Sequence, residues 1–234
     1  VSVMRIDKNG TQTDQNIYTI LTGFTTTQKL HPSICQLSDE SLILVHVYED
    51  NGLANIRVHR SVDDGVTWDV VAREALELPI SVGTTSGAGT ETFDIQRIRI
   101  ASNGFTVVLL IGADNNNTST TKRNTLFQYV SIDGGGTFTR ISTDDNLVSN
   151  SFTGIDLDTR NGQFVVSYIG DTSNIHYIEL PNPFSNIHLL REASAFVTIN
   201  TPNASTGTND YMLEAQKAMA VDSDGGIYIY VYSH

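Results

Sequence analysis

The chain alternates short apolar runs with tight polar turns. Four of its segments line up on one pattern, beginning at Pro32, Gln96, Thr153 and Ala218: PSICQLSDESLILVHVYED, QRIRIASNGFTVVLLIGAD, TGIDLDTRNGQFVVSYIGD and AMAVDSDGGIYIYVYSH. Each reads as a short alternating strand, a turn (SDES, SNG, TRNG, SDGG), and a longer, more apolar strand. Asn-Gly and Asp-Gly are the dipeptides that supply the positive φ of a tight hairpin. The second strands, LILVHV, TVVLLI, FVVSYI and IYIYVY, are nearly continuous apolar runs. A strand that is apolar on both sides has to be buried on both faces. No window of 12 or more residues holds a 3.6-residue period, and 189–199 and 211–221, which come nearest, read as strand plus loop.

The second strands start near Ser41, Phe105, Gln163 and Ile227, at intervals of 64, 58 and 64 residues. That period fits a four-stranded antiparallel unit with one long connection. A second hairpin lies between successive first ones. ANIRVHRSVDDGVTWDVVA and TLFQYVSIDGGGTFTRIS are two of these, and NIHYIELPNPFSNIHLLRE holds the same place in the third unit. The expected fold class is therefore all-β: face-to-face blades around an axis, a β-propeller. VSVMRIDKNGTQTDQNIYTIL at the start resembles an outer hairpin, and the C-terminal segment stops after two strands. Together they predict about four blades in a single domain, 1–234: roughly 31–78, 95–142, 152–199, and 214–234 shared with 1–21. The alternative is a fragment of a larger propeller.

Composition narrows the partners. The 234 residues carry 26 Asp+Glu against 14 Lys+Arg, a net charge of −12, so nucleic acid and anionic membrane surfaces are not expected partners. No apolar run reaches the roughly 18–20 residues of a membrane span, so no membrane insertion is expected. The opening VSVMRIDKNG has no secretory-leader pattern and reads as a mature product, a trimmed chain or a fragment. The single cysteine, Cys35, sits in an apolar run and reads as a small buried hydrophobe. The six histidines (His31, His46, His59, His176, His188, His234) show no metal spacing, and His46 and His59 read as packed or edge residues of strands. No metal and no cofactor is expected.

Two stretches repeat closely: SVDDGVTW at 61–68 and SIDGGGTF at 131–138, at the turn between third and fourth strands. Asp63 and Asp133 suit acceptance of backbone N–H bonds from their own turns. Ser61, Thr67, Ser131 and Thr137 suit ties between strand ends. Gly65 and Gly135 suit a left-handed backbone, and Trp68 and Phe138 suit plugging the turn onto apolar surface. These stretches resemble the Asp-box, or BNR repeat, of sialidase-like β-propellers, and the repeat covers about 1–234. The resemblance implies an outer-rim structural turn, away from any active site.

It also implies where catalysis would lie. Sialidases of this kind use an arginine triad, a Tyr–Glu pair and an aspartic acid/base, with the first arginine in an Arg-Ile-Pro motif. The matching stretch here is KLHPSI, where His31 and Leu30 precede Pro32 in place of that pair; MRID at Arg5 lacks the proline. No catalytic residue is assigned. Arg97 and Arg99 lie two apart on an inner strand and point to one side of it. The long polar loops 49–54, 113–124, 170–174, 79–94, 142–150 and 200–211 belong to the opposite face, and their Asp, Asn, Thr and Gly suit hydroxyl-rich ligands such as glycans. Asn116, Asn117 and Asn203 fit the N-glycosylation pattern. The candidate ligand-face residues are His31, Asp50, Asn51, Asp94, Arg97, Asp114, Arg123 and Asp171. The expected function is a non-enzymatic recognition or assembly module at an extracellular or virion surface, such as a phage tail or fibre component. Its expected partners are a glycan or protein receptor, or neighbouring subunits. The alternatives are a divergent sialidase or other glycoside hydrolase, and a cell-surface lectin.

Overall fold

The structure is a computed structural model, described here for residues 2–6, 9–16, 32–50, 53–69, 73–81, 93–115, 123–141, 155–169, 175–187, 197–199 and 217–231. Sixteen strands are described. β1 (Ser2–Ile6) and β2 (Gln12–Asn16) form a hairpin. β3 (Ser33–Gln36), β4 (Leu42–Asp50), β5 (Leu53–Ser61) and β6 (Arg73–Ser81) form sheet one. β7 (Phe93–Asn103), β8 (Thr106–Asn115), β9 (Arg123–Ser131) and β10 (Thr139–Arg140) form sheet two. β11 (Asp156–Arg160), β12 (Gln163–Ile169), β13 (Ile175–Glu179) and β14 (Val197–Ile199) form sheet three, and β15 (Lys217–Val221) with β16 (Ile227–Val231) ends the series. Every ladder is antiparallel between sequence neighbours, the meander that the repeated hairpins predict. The two terminal hairpins are separate sheets, and among the described residues no ladder joins them.

The apolar runs explain the stacking. In β4, Ile43, Val45 and Val47 join Ile56 and Val58 of β5 on one face of sheet one. They meet Ile98 and Ile100 of β7, Val107, Leu109 and Ile111 of β8, and Phe127 and Tyr129 of β9. The alternate positions Val108 and Leu110 of β8 pack on the other side with Ala101, Leu126 and Val130. There they meet Leu157, Phe164, Val166 and Ile178 of sheet three. β8 is thus buried on both faces, as its continuous apolar run requires. A buried side chain of this size contributes about 1.5–3 kcal/mol. The first strands also succeed one another, β3 beside β7, β7 beside β11 and β11 beside β15, so they form the inner lining of the stack.

The turns differ more than their sequences suggest. Asn161–Gly162 is a two-residue loop with positive φ at both positions (49° and 77°), the geometry expected for Asn-Gly. In sheet two, however, Asn103 stays in the ladder opposite Thr106, and the loop is Gly104–Phe105 with the positive φ at Gly104. The first and last turns share a wider form. Leu37 N–H donates to Ser41 O (2.8 Å) and Glu40 N–H to Leu37 O (3.1 Å). Asp222 N–H donates to Gly226 O and Gly225 N–H to Asp222 O (both 3.0 Å). Glu40 (φ 65°) occupies the left-handed position that Gly225 (φ 80°) fills in the last turn.

Several strands run into stretches expected as loops: β4 to Asp50 and β5 from Leu53 enter 49–54, β8 to Asn115 and β9 from Arg123 enter 113–124, and β7 from Phe93 enters 79–94. β6 runs through Pro79 to Ser81, into the stretch assigned to a loop at 79–94, because Leu76, Leu78 and Ile80 keep alternating. β6 is the outer edge strand of its sheet, where a proline removes no needed donor. The fourth strand of sheet three is Val197–Ile199, paired with Tyr177–Ile175, and does not follow directly on PNPFSN. That segment is held instead by Gln128 of sheet two, 1% exposed, whose Nε2 donates to Ser185 O (2.9 Å) and Pro183 O (3.3 Å) and whose Oε1 accepts Ile187 N–H (3.2 Å).

The shared turn geometry gives a direct test. Glu40→Gly removes a left-handed side chain worth about 1 kcal/mol, partly offset by a freer unfolded chain. Its unfolding midpoint is expected at or above that of the parent. Gly225→Ala adds a Cβ 3.3 Å from the Asn161 side chain at φ 80° and is expected to lose about 1–2 kcal/mol in a denaturant melt.

Candidate functional site

The inner lining brings Arg97, Arg99, Asp156 and Asp158 onto neighbouring strands. On β7, Ile98 and Ile100 face sheet one, so alternation turns Arg97 and Arg99 toward sheet three. Arg99 Nε donates to Asp156 Oδ1 at 2.5 Å, and its Nη1 donates to Ile98 O at 2.9 Å. Asp156, 7% exposed on β11, accepts Met219 N–H of β15 at its other oxygen (2.8 Å). One carboxylate therefore ties three inner strands. Asp158 repeats the move by accepting Val221 N–H (3.1 Å). Between β3 and β7 the same role falls to hydroxyls: Ser33 Oγ accepts Ile100 N–H (3.2 Å), and Ser102 Oγ donates to Gln36 O.

Arg97 lies half-buried beside this network, next to a bulge between Ile95 and Arg97. Burial pulls its guanidinium below the ordinary arginine value, the Arg99 charge adds to that, and Asp156 opposes it. Bulges of this kind re-aim side chains at the ends of sheets.

The two repeated turns are close copies. Ser61 Oγ donates to Asp63 Oδ1 (2.9 Å) and accepts Gly65 N–H (2.8 Å); Asp63 accepts Thr67 N–H (2.7 Å) and Thr67 Oγ1–H (2.5 Å). In the second, Ser131 Oγ donates to Asp133 Oδ1 (2.7 Å) and accepts Gly135 N–H (2.9 Å), and Asp133 accepts Thr137 N–H (2.9 Å) and Thr137 Oγ1–H (2.8 Å). Each carboxylate is consumed inside its own turn. Trp68 is 6% exposed, and Phe138 packs half-buried on the core between sheets one and two. The second turn also touches its neighbour: Gly134 (φ 67°) lies where a Cβ would come 3.0 Å from Leu37 and 3.2 Å from Phe105.

Of the proposed ligand-face residues, His31, Asn51 and Asp171 lie outside the described residues. Asp50 ends β4, and the backbones of Asp94, Asp114 and Arg123 gather at one end of sheet two. Asp94 pairs with Asp114 across β7 and β8, and Arg123 pairs with Asn115 across β8 and β9. Arg97 sits on the same strand as Asp94. Asp156 was not singled out from the sequence; an acid two residues from a second acid on a first strand was its only signal. Among the described residues no group of three His, Cys, Asp or Glu side chains could hold a metal ion.

No family model matches the chain, and no curated protein matches it in sequence. In structure it is similar to the α-L-arabinanase of Penicillium chrysogenum complexed with arabinobiose, at 16% identity and a TM-score of 0.55, over 96% of this chain and 65% of that one. It is also similar to the α-L-arabinofuranosidase of Fusarium graminearum in complex with an iminosugar inhibitor, at 13% identity and a TM-score of 0.52, over 94% of this chain and 58% of that one. The fold is that of a β-propeller. At these identities the likeness is one of fold, and the chain spans less than two thirds of the length of either propeller.

Two measurements probe the second repeated turn, with Gly104 of the β7–β8 loop as the reference for the first. Gly104→Ala (φ 65°, open space) and Gly134→Ala (φ 67°, against Leu37) both place alanine in the left-handed region. Gly134→Ala is expected to lose about 1–2 kcal/mol more, since only it also overpacks its surroundings. Asp133 is exposed; the partial loss of solvent around its carboxyl opposes its charge, but bonds from Thr137 and Ser131 bring the group down to about 2. Its contribution is complete above the ordinary value of 3.8 and is lost as pH falls through about 2. Asp133→Asn should flatten that acid limb of a stability–pH curve.

Proposed function

We propose that the chain is a sialidase-like propeller module that recognises a glycan or a protein receptor without turning it over. Residues 61–68 and 131–138 act in it as Asp-boxes, structural turns remote from the ligand. The observation that carries this reading is the Arg99–Asp156 pair. An arginine on the axis-lining strand, where a substrate carboxylate would be met, is already neutralised from within by an acid that also holds β15. Such a group is committed to the fold, because removing Arg99 leaves the buried Asp156 charge without its counter-ion, a loss of up to about 3–5 kcal/mol. Ligand contact then falls to Arg97 and to the loop end marked by Asp50, Asp94, Asp114 and Arg123. The acidic balance and Thr/Asn-rich loops support placement at an extracellular or virion surface, with 1–234 acting as one propeller domain.

The arabinobiose bound by the Penicillium relative makes arabinan oligosaccharides natural probes beside sialosides. Calorimetric titration or array binding is expected to find a glycan ligand with a Kd of roughly μM to mM, weakened at least about tenfold by Arg97→Ala. The same protein is expected to release no chromophore from aryl arabinofuranosides or aryl sialosides. Turnover that disappears in Arg97→Ala or Arg99→Ala would instead make the chain a divergent glycoside hydrolase.

A further inference from the structure

Two histidines packed against each other within sheet one take no part in the lining or the turns. His46 of β4 and His59 of β5 are 0% and 3% exposed. Their rings stack with centroids 5.2 Å apart and 14° between planes, and their Nε2 atoms are 3.1 Å apart. Their outer nitrogens meet carbonyls: His46 Nδ1 lies 2.9 Å from Val47 O, and His59 Nδ1 lies 3.2 Å from Asp69 O. Val45, Val47 and Val58 face sheet two, so alternation puts this pair on the opposite face.

Counting protons defines the chemistry. A carbonyl only accepts, so each outer contact requires a proton on Nδ1, and the inner contact requires one proton between the two Nε2 atoms. Three contacts need three protons, but two neutral imidazoles carry two. In the neutral pair His46 holds its proton on Nδ1 for Val47, His59 donates from Nε2 to His46, and the longer contact to Asp69 goes unmade. A third proton completes that contact at the cost of a buried charge. A fourth forces two N–H groups against each other. Among the described residues, Arg57, on β5 with His59, opposes protonation of both rings. Burial is the larger effect: it holds His46 down at about 4 and lowers His59 as well.

We propose that His46 and His59 form an acid-released latch, a neutral pair sharing one proton that holds β4 to β5, and that opens this face of sheet one when both rings become protonated. Asp69, whose carbonyl meets His59, directly follows Trp68, and its N–H donates to Arg60 O (2.8 Å). Both histidines titrate below their ordinary value of 6.5 in the folded chain, so the unfolded or opened state binds more protons. Stability is full above 6.5 and declines as pH falls from there toward about 4.

Imidazole nitrogen NMR at pH 7.5 is expected to show His46 as the Nδ1–H tautomer and His59 as the Nε2–H tautomer; an imidazolium signal from either ring overturns the neutral latch. Hydrogen exchange followed by mass spectrometry, corrected for intrinsic rates, is expected to show protection over 42–61 falling at least about tenfold between pH 7 and pH 5. His59→Gln keeps an amide donor facing His46 and removes one titrating ring, so its protection is expected to fall much less. Unchanged protection in the parent chain, or an equal fall in His59→Gln, overturns the latch. Should His59→Gln not fold, the tautomers and the parent's exchange profile still decide the matter.

Discussion

The fold depends on the burial of β8 from both sides. Val107, Leu109 and Ile111 reach into one core, and Val108 and Leu110 reach into the other. A single strand is thereby shared by two sheet-to-sheet contacts, and neither can shift without disturbing the other. A one-residue slip of β8 would exchange the two sets and bring its polar flanks into the cores. The requirement fixes the register of its neighbours too, since Leu110 pairs with both Arg99 and Gln128. Both residues make polar bonds that help fasten sheet two to sheet three.

Stacking apolar sheets leaves their polar ends to be joined separately, and the chain uses different chemistry at each joint. Between sheets one and two the inner strands are tied by Ser33 and Ser102. Between sheets two and three the tie is ionic at Arg99–Asp156, with Gln128 and the Asn103 amide, which donates to Gly162 O (2.6 Å), at the turns. Where the repeated turn is absent, in PNPFSN, Gln128 satisfies the backbone that an internal aspartate would otherwise hold. The repeat is thus one of apolar pattern, and its polar parts are interchangeable.

This distinction accounts for what the sequence made legible. Alternation, doubly apolar runs and turn residues are local, so the hairpins, the sheet order and the start of β12 and β16 at Gln163 and Ile227 could be read from it. The extension of β6 to Ser81 was hidden by Pro79, a residue that argues against strand except at an edge, and edge position is a property of the assembled sheet. The turn hydrogen bonds were legible in kind because donor and acceptor lie four residues apart or fewer. Asp156 was not, because its partners are 57 residues before it and 63 after it. His46 and His59 looked like ordinary strand histidines because the register that brings them together, with Leu44 opposite His59 and His46 opposite Arg57, exists only once β4 and β5 have paired.

The commitment of Asp156 constrains how the inner lining could acquire a ligand. A carboxylate satisfied by a guanidinium and a backbone N–H leaves no net charge for a solute to exploit, and breaking it to free Arg99 would cost the contact between β7, β11 and β15. Arg97 stands one alternation away with its guanidinium under pressure from burial and from Arg99. A ligand carboxylate or hydroxyl cluster at that point would relieve the pressure without touching the fastening beneath it. The proposed reading thus gives recognition to Arg97 and fold stability to Arg99, two residues apart on one strand.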